Sequence, residues 1–215
     1  MAHVSNLLVP FYEHPAERPA AWDAVIRAAS RLYGVVLNPA SGPGDAPDPA
    51  FAAVSTRLRA AGVRVLGYAD TDYARRPHAA VVRDLLRHRD WYGADGAFLD
   101  QVTAEPQALP HYRRLAVAAR AAGAATLVLN HGVHPDPGYL ELADVLVTFE
   151  GTWGTYRGVA RDLPPWTAAY AHDRFCHLLY AAPPTAEFTA GVGCAVPGEA
   201  PHPWGTLPHA LEAVR

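Results

Sequence analysis

Short apolar runs alternate along this chain with longer stretches in which apolar residues recur every three to four positions. The runs read as buried strands and the stretches as amphipathic helices, so the pattern predicts βα units around a parallel sheet. Strands are predicted at 7–12, 34–39, 64–69, 96–101, 126–130, 144–150 and 175–180, with a weaker eighth at 192–196. Helices are predicted at about 19–32, 51–61, 77–88 and 110–122. A proline near the start of the first helix costs little there, because the first N–H groups of a helix have no partner. Gly62 and Gly123 follow the second and fourth helices, where a glycine closes the last turn. The regularity then weakens. Between Pro183 and Cys194 there is room for only a short helix, and Pro and Gly crowd the tail.

Eight strands alternating with helices predict a compact (β/α)8 barrel of the TIM type, shortened around the last βα unit, since such barrels usually need about 250 residues. The 215 residues, 1–215, read as one domain with no internal repeat and no low-complexity linker.

In such a barrel, active-site side chains stand at the C-terminal ends of strands. Two predicted strands end on an acid. Gly96-Ala97-Phe98-Leu99-Asp100-Gln101 does so at Asp100, and Asp144-Val145-Leu146-Val147-Thr148-Phe149-Glu150 at Glu150. Side chains alternate between the two faces of a strand. An inward Asp100 puts Phe98 inside and Leu99 toward the helices. An inward Glu150 puts Leu146 and Thr148 inside, with Val147 and Phe149 outside. The two strands are two positions apart, so their Cα atoms are expected roughly 10 Å apart. Carboxyls leaning inward would then close to about 5–9 Å, a range that spans both retaining and inverting glycosidase pairs. Taken singly, either acid also fits a helix cap or an arginine partner.

Composition narrows the chemistry. The formal net charge is −3 and half the residues are hydrophobic, with no basic stripe, which argues against nucleic acid as the main partner. No apolar run is long enough to span a bilayer, so no membrane partner is expected. All 18 basic residues are Arg. Without a lysine amine, Schiff-base chemistry and a Walker-type phosphate loop are excluded. Cys176 and Cys194 form neither a disulfide framework nor a metal finger. His131, His134 and Asp136 share a short loop rich in Gly and Pro, without a further ligand set, so no metal and no cofactor is expected. There is no Gly-x-Ser-x-Gly elbow, and Cys176 and His177 would face opposite ways on one strand. Aromatic residues, by contrast, gather after strands one, three and six: Phe11, Tyr12, Tyr68, Tyr73, Trp153 and Tyr156. Sugar rings stack on such side chains. With no charged and apolar leader at its start, the chain as written reads as cytoplasmic, or as secreted where a leader precedes it.

Taken in order, several segments resemble the spherulin-4 family of glycoside hydrolases. They are Val9-Pro10-Phe11-Tyr12 with Trp22, then Leu37-Asn38-Pro39-Ala40-Ser41-Gly42-Pro43-Gly44, and Gly67-Tyr68-Ala69-Asp70-Thr71-Asp72-Tyr73. Trp91-Tyr92, Phe98-Leu99-Asp100, Asn130 with Gly132, Phe149-Glu150, Tyr156, His177 and Pro203-Trp204-Gly205-Thr206-Leu207-Pro208 complete the match. The resemblance implies a (β/α)8-type barrel and endo-hydrolysis of polysaccharides containing N-acetylgalactosamine, such as galactosaminogalactan. On that resemblance Asp100 and Glu150 fall on the family's acidic active-site positions. Glu150 is expected as general acid, helped where burial beside Trp153 and Tyr156 raises its pKa, and Asp100 as nucleophile or base. Substrate contacts are expected from Tyr12, Asn38, Tyr68, Asp70, Tyr73, Gln101, Asn130, Trp153, Tyr156 and His177. Where many relatives carry Asp-Glu at the end of strand four, this chain has Asp100-Gln101, and a Gln serves as neither acid nor base. That departure keeps two other readings open: a non-catalytic glycan-binding barrel, and a cytoplasmic enzyme acting on a small sugar conjugate.

Overall fold

Each predicted strand finds a parallel neighbour on both sides. The structure, a computed structural model, describes residues 6–159 and 162–212. Its strands are β1 (Leu7–Pro10), β2 (Leu32–Leu37), β3 (Val65–Asp70), β4 (Gly96–Asp100), β5 (Thr126–Asn130), β6 (Val145–Thr152), β7 (Phe175–Tyr180) and β8 (Val192–Ala195). They close in sequence order into a parallel barrel. Helices α1 (Pro19–Arg27), α2 (Pro49–Ala60), α3 (His78–Tyr92), α4 (Leu109–Ala121), α5 (Trp153–Val159) and α6 (His209–Glu212) lie outside it. Among the described residues no helix is long and apolar enough to cross a membrane.

Alternation sorts the apolar residues into layers. Leu8, Val36, Leu66, Phe98, Val128, Val145, Leu178 and Val192 fill the barrel. Leu99, Leu127, Leu129 and Leu146 face outward and pack with Leu115, Tyr112 and Tyr139. On the opposite flank Val9, Val35, Leu37 and Val65 meet Trp22, Phe51 and Leu58. Burying such side chains contributes roughly 1.5–3 kcal/mol each.

Local chemistry sets several boundaries away from their expected places. Helix α2 begins at Pro49, because the Asp48 carboxylate accepts hydrogen bonds from the backbone N–H groups of Ala50 and Phe51. Helix α3 runs four residues past its predicted end and stops at Gly93, which adopts the left-handed conformation at φ 63°. Trp91 and Tyr92 are therefore in its last turn. The first helix ends at Arg27, and a turn of 3-10 helix fills 29–31 before β2.

The largest departure lies in β6. Val145 and Val147 point into the barrel while Leu146 faces the helices, the reverse of the expected phase. A β-bulge corrects the phase before Glu150. Val147 pairs with Cys176 and Phe149 with His177, so Thr148 is an extra residue with no partner on β7. Thr148 and Phe149 both face outward, and Glu150 returns inward.

The helix layer thins over the last strands. Among its described residues the β6–β7 connection carries α5 and two 3-10 turns (Pro165–Ala169 and His172–Arg174). No helix forms between β7 and β8, where a short one had room. Four-residue α6 packs its Leu211 into the cluster around Trp22.

Candidate active site

The ends of β3 to β6 build one polar layer above the apolar barrel filling. Tyr68 pairs with Phe98 in register, and the two rings stack at 6.3 Å. One inward position higher, Asp70 lies beside Asp100. Tyr68 reaches up that step, and its hydroxyl donates to Asp100 Oδ2 at 2.7 Å.

Asn130, at the end of β5, joins the two acids. Its Nδ2 donates to Asp100 Oδ1 at 2.7 Å and to Glu150 Oε2 at 2.5 Å. The amide cannot be turned round, because its Oδ1 accepts the Gly132 backbone N–H at 3.1 Å, and an N–H only donates. Two oxygens bonded to one nitrogen at those lengths lie no more than about 5 Å apart.

Burial and charge act on both carboxyls. Glu150 is pushed above the usual glutamate range, first by burial and then by the negative charge of Asp100; hydrogen bonds from Asn130 and Trp204 oppose this. Asp100 is also pushed up by burial, but bonds from Tyr68, the Gln101 backbone and Asn130 favour its anion. The site thus holds two acids in unequal surroundings. Three donors favour the Asp100 anion and two the Glu150 anion.

The loops after β3 and β4 lock Asp100 in place. Thr71 Oγ1 is buried and donates to the carbonyls of Asp100 and Gln101, while its N–H donates to the Asp100 carbonyl at 3.0 Å. Tyr112 closes on the same hydroxyl at 2.9 Å. Asp72, Tyr73, Ala74 and Gln101 all have φ between 46° and 70°, a region that side chains disfavour. The Tyr73 N–H donates to the Gln101 carbonyl at 2.8 Å, which ties the two strained segments together. Backbone strain collected around one cleft marks a site whose side chains are aimed.

That cleft has a volume of about 410 Å³ and is lined by Tyr73, Asp100, Gln101, Asn130, His131, Gly132, Glu150 and Tyr180. Tyr73 presents a ring that is 49% exposed. Tyr12 packs edge-on against Tyr68, 6.0 Å away, and feels the charges of both Asp100 and Glu150. Asp70 turns its Oδ1 to the Asp72 N–H at 2.7 Å.

Of the residues expected to meet substrate, Tyr73, Gln101 and Asn130 line this cleft, Tyr12, Tyr68 and Asp70 stand beside the acids, and four others do not line it. Asn38 is used by its own loop, where Oδ1 accepts the Gly42 N–H at 2.7 Å. His177 faces outward, opposite Phe149 in the register set by the bulge. Tyr156 is buried on that outer side, its hydroxyl 2.9 Å from His177 Nδ1 and accepting the Thr189 N–H at 2.9 Å. Trp153 tilts over Tyr156 at 5.9 Å and does not line the cleft. On that outer side Tyr156 and Glu150 share the walls of one hollow. The tail acts on the acid as well: Trp204 favours the Glu150 anion and sets its ring edge-on to Tyr180 at 6.3 Å. Tyr180 was within reach of the strand-end rule that selected the two acids, because it is the last residue of β7. Trp204 was not, because nothing in a Pro- and Gly-rich tail says that it folds back over the barrel mouth. Its carbonyl does so by accepting the Tyr12 N–H at 2.9 Å.

Among the described residues no group of three or more His, Cys, Asp or Glu is placed to hold a metal ion. His131 instead points its Nδ1 at the Thr103 carbonyl, 3.1 Å away.

The model of the spherulation-specific family 4 matches residues 6–196. Spherulin-4 of Physarum polycephalum is 35% identical over 150 residues, which cover 67% of this chain and 44% of that protein, so the chain spans less than half of its length. The crystal structure of Sph3 from Aspergillus clavatus in complex with GalNAc is similar at a TM-score of 0.83 and 26% identity, covering 97% of this chain and 95% of that one. The spore cortex-lytic enzyme SleL of Bacillus cereus shares the fold, with a TM-score of 0.60 at 9% identity over 84% of this chain and 51% of its own. So does a chitinase from Rhizomucor miehei, at 0.54 and 13% over 81% and 68%.

Proposed function

The chain belongs to the spherulation-specific family 4, and from its paired carboxylates we propose that it is a glycoside hydrolase acting on a glycan that contains N-acetylgalactosamine. The observation that carries this reading is the Asn130 amide, which bridges two partly buried acids of unequal environment at the barrel mouth. Their closest oxygens, no more than about 5 Å apart, match the spacing of retaining enzymes rather than the roughly 6.5–9.5 Å that leaves room for an attacking water in inverting ones. The sugar is suggested by the GalNAc in the Sph3 complex.

In this mechanism Glu150 enters protonated and gives its proton to the glycosidic oxygen as the C–O bond breaks. Asp100, whose anion three donors favour, attacks the anomeric carbon as that bond breaks and forms a covalent glycosyl ester. Glu150, now an anion, takes a proton from the water that displaces Asp100 from the anomeric carbon, which frees the sugar and restores both acids. Tyr73 and Tyr180 offer ring faces to the sugars on either side of the scissile bond. Gln101 takes no part in proton transfer; its backbone N–H and carbonyl hold the loop that carries Asp100.

The test is hydrolysis of N-acetylgalactosamine oligosaccharides, with products read by mass spectrometry. Asp100→Asn and Glu150→Gln should each lower the rate by at least a thousandfold while circular dichroism shows the fold retained. Proton NMR of the first product formed should show retained anomeric configuration. Activity that survives both substitutions removes the proposal. Oligosaccharide binding without any product by the unmodified protein would make the barrel a binding module instead.

A further inference from the structure

On the far side of β6 from the carboxylates, a second cavity of about 290 Å³ lies between the barrel wall and the β6–β7 connection. It exists because of two features of the fold. Among the described residues α5 and two 3-10 turns, in place of one long helix, stand over β6 and β7 and leave a gap. The bulge in β6 then turns an extra side chain, Thr148, outward into that gap.

The lining is mostly apolar, with Leu163, Pro164, Ala168, Phe175 and Ala190 among its walls. Thr148 is 1% exposed, and its Oγ1 has no hydrogen-bond partner. A buried hydroxyl without a partner costs about 1–3 kcal/mol, so its presence at a cavity wall points to something that completes it. His177 lines the same space, and burial holds its ring neutral by pulling its pKa down to about 4. Among the described residues no Arg lines the cavity. A neighbouring hollow shares His134, Thr148, Leu163 and His177 as walls, reaches Gly132 and Glu150 at the edge of the carboxylate cleft, and opens beside Val133, Val159 and Leu163, which are 56%, 44% and 46% exposed. Apolar side chains left in water at the rim of an apolar cavity fit the entry of an apolar molecule.

We propose that this cavity is a second ligand site, which takes a small uncharged aromatic or branched aliphatic molecule bearing one hydroxyl group, with the ring among Leu163, Phe175 and Ala190 and the hydroxyl bonded to Thr148 Oγ1. A ligand hydroxyl both donates and accepts, so it satisfies Thr148 whichever way that hydroxyl turns. The volume lies at the lower end of the range of small-molecule pockets.

Fluorine NMR of the full chain with 4-fluorophenol and with fluorobenzene tests the site. The phenol should bind saturably and more tightly than fluorobenzene. Thr148→Val keeps the shape and removes the hydroxyl, so it should weaken the phenol at least tenfold and leave fluorobenzene within twofold. Ala190→Leu, which fills the cavity, should weaken both. N-acetylgalactosamine should displace neither, which separates this site from the carboxylate cleft. A crystal soaked in 4-iodophenol should show the iodine signal between Phe175 and Ala190. The proposal is overturned by absence of saturable binding, by Thr148→Val affecting both probes equally, by competition with the sugar, or by an iodine signal confined to the carboxylate cleft.

Discussion

Replacing Asn130 with Leu removes both donors from the carboxylate pair at nearly constant volume. Each bond joins an amide to a carboxylate in a buried setting, where a charge-assisted hydrogen bond is worth about 1.5–3 kcal/mol. Two carboxylates roughly 5 Å apart also repel by about 3 kcal/mol at an effective dielectric constant of 20. Asn130 lowers the pKa of both acids, so its loss raises both. In the transition state Glu150 still shares its proton, and only the bond to anionic Asp100 is fully felt. The expected fall in kcat/KM is therefore about 10- to 150-fold. The pH profile supplies a sharper check. Its acid limb reports ionisation of Asp100 and its alkaline limb loss of the Glu150 proton, so both limbs should move to higher pH, by roughly one to two units. Collapse of the loop is not expected to confuse the reading, because the Gly132 N–H also donates to the Val147 carbonyl at 3.2 Å. Oligosaccharide hydrolysis measured from pH 4 to 9, with circular dichroism on the same samples, decides the matter. A profile that stays in place with the rate within threefold of the parent refutes the shared-amide argument.

Three further outcomes follow from the same structure. Tyr68→Phe deletes a hydroxyl that serves Asp100 and leaves its ring on Phe98, so kcat/KM should fall about 10- to 100-fold. Only the acid limb should then shift upward, and movement of both limbs equally would count against the assignment. Gly67→Ala places a Cβ 2.5 Å from His88 Cγ and 2.6 Å from its Cβ, on a buried side chain pinned to the Tyr68 carbonyl at 2.8 Å. Overpacking of this kind costs about 1–3 kcal/mol, or roughly 2–12 °C in a thermal melt, and an unchanged melt would contradict the packing. Burial also holds His88 and His177 neutral, with pKa values of about 4 against an ordinary value of 6.5. The unfolded chain takes up these protons below pH 6.5 and the folded chain only near 4, so this stabilisation is complete above 6.5 and lost as pH falls, at up to about 3 kcal/mol per histidine. Asp100 and Glu150, raised in the fold, act in the opposite sense at lower pH. Urea midpoints should drop between pH 7 and pH 5, and a flat or rising midpoint would refute the argument.

Strand positions were legible because a buried parallel strand is a short apolar run with few alternatives. Thr126–Asn130 and Phe175–Tyr180 sit where the pattern puts them. Helix ends were less legible, since they depend on single local bonds. The Asp48 cap moved one start, and the left-handed Gly93 moved one end. The gap over β6 and β7 could not be read at all, because a stretch lacking helical periodicity does not say whether its turns cover the sheet.

The acids themselves show how a right position can rest on a wrong phase. Strict alternation back from Glu150 puts Leu146 and Thr148 inside the barrel, yet Val145 and Val147 occupy it. Both patterns are almost equally apolar, so hydrophobicity alone does not choose between them. What decides is the neighbouring register, in which Val128 pairs with Val145 and Asn130 with Val147. With Val147 inward, an unbroken strand would turn Glu150 outward, to the side occupied by Tyr156 and His177. The one-residue bulge at Thr148 therefore brings the second carboxylate to Asn130. It also leaves the Thr148 hydroxyl stranded on the other face of the strand. The same bulge thus accounts for both the carboxylate pair and the unpaired hydroxyl in the second cavity. Deleting Thr148 should restore regular pairing on β7, with Phe149 outward beside His177 and Glu150 still inward beside Leu178, so phenol binding should be lost while hydrolysis and the barrel remain.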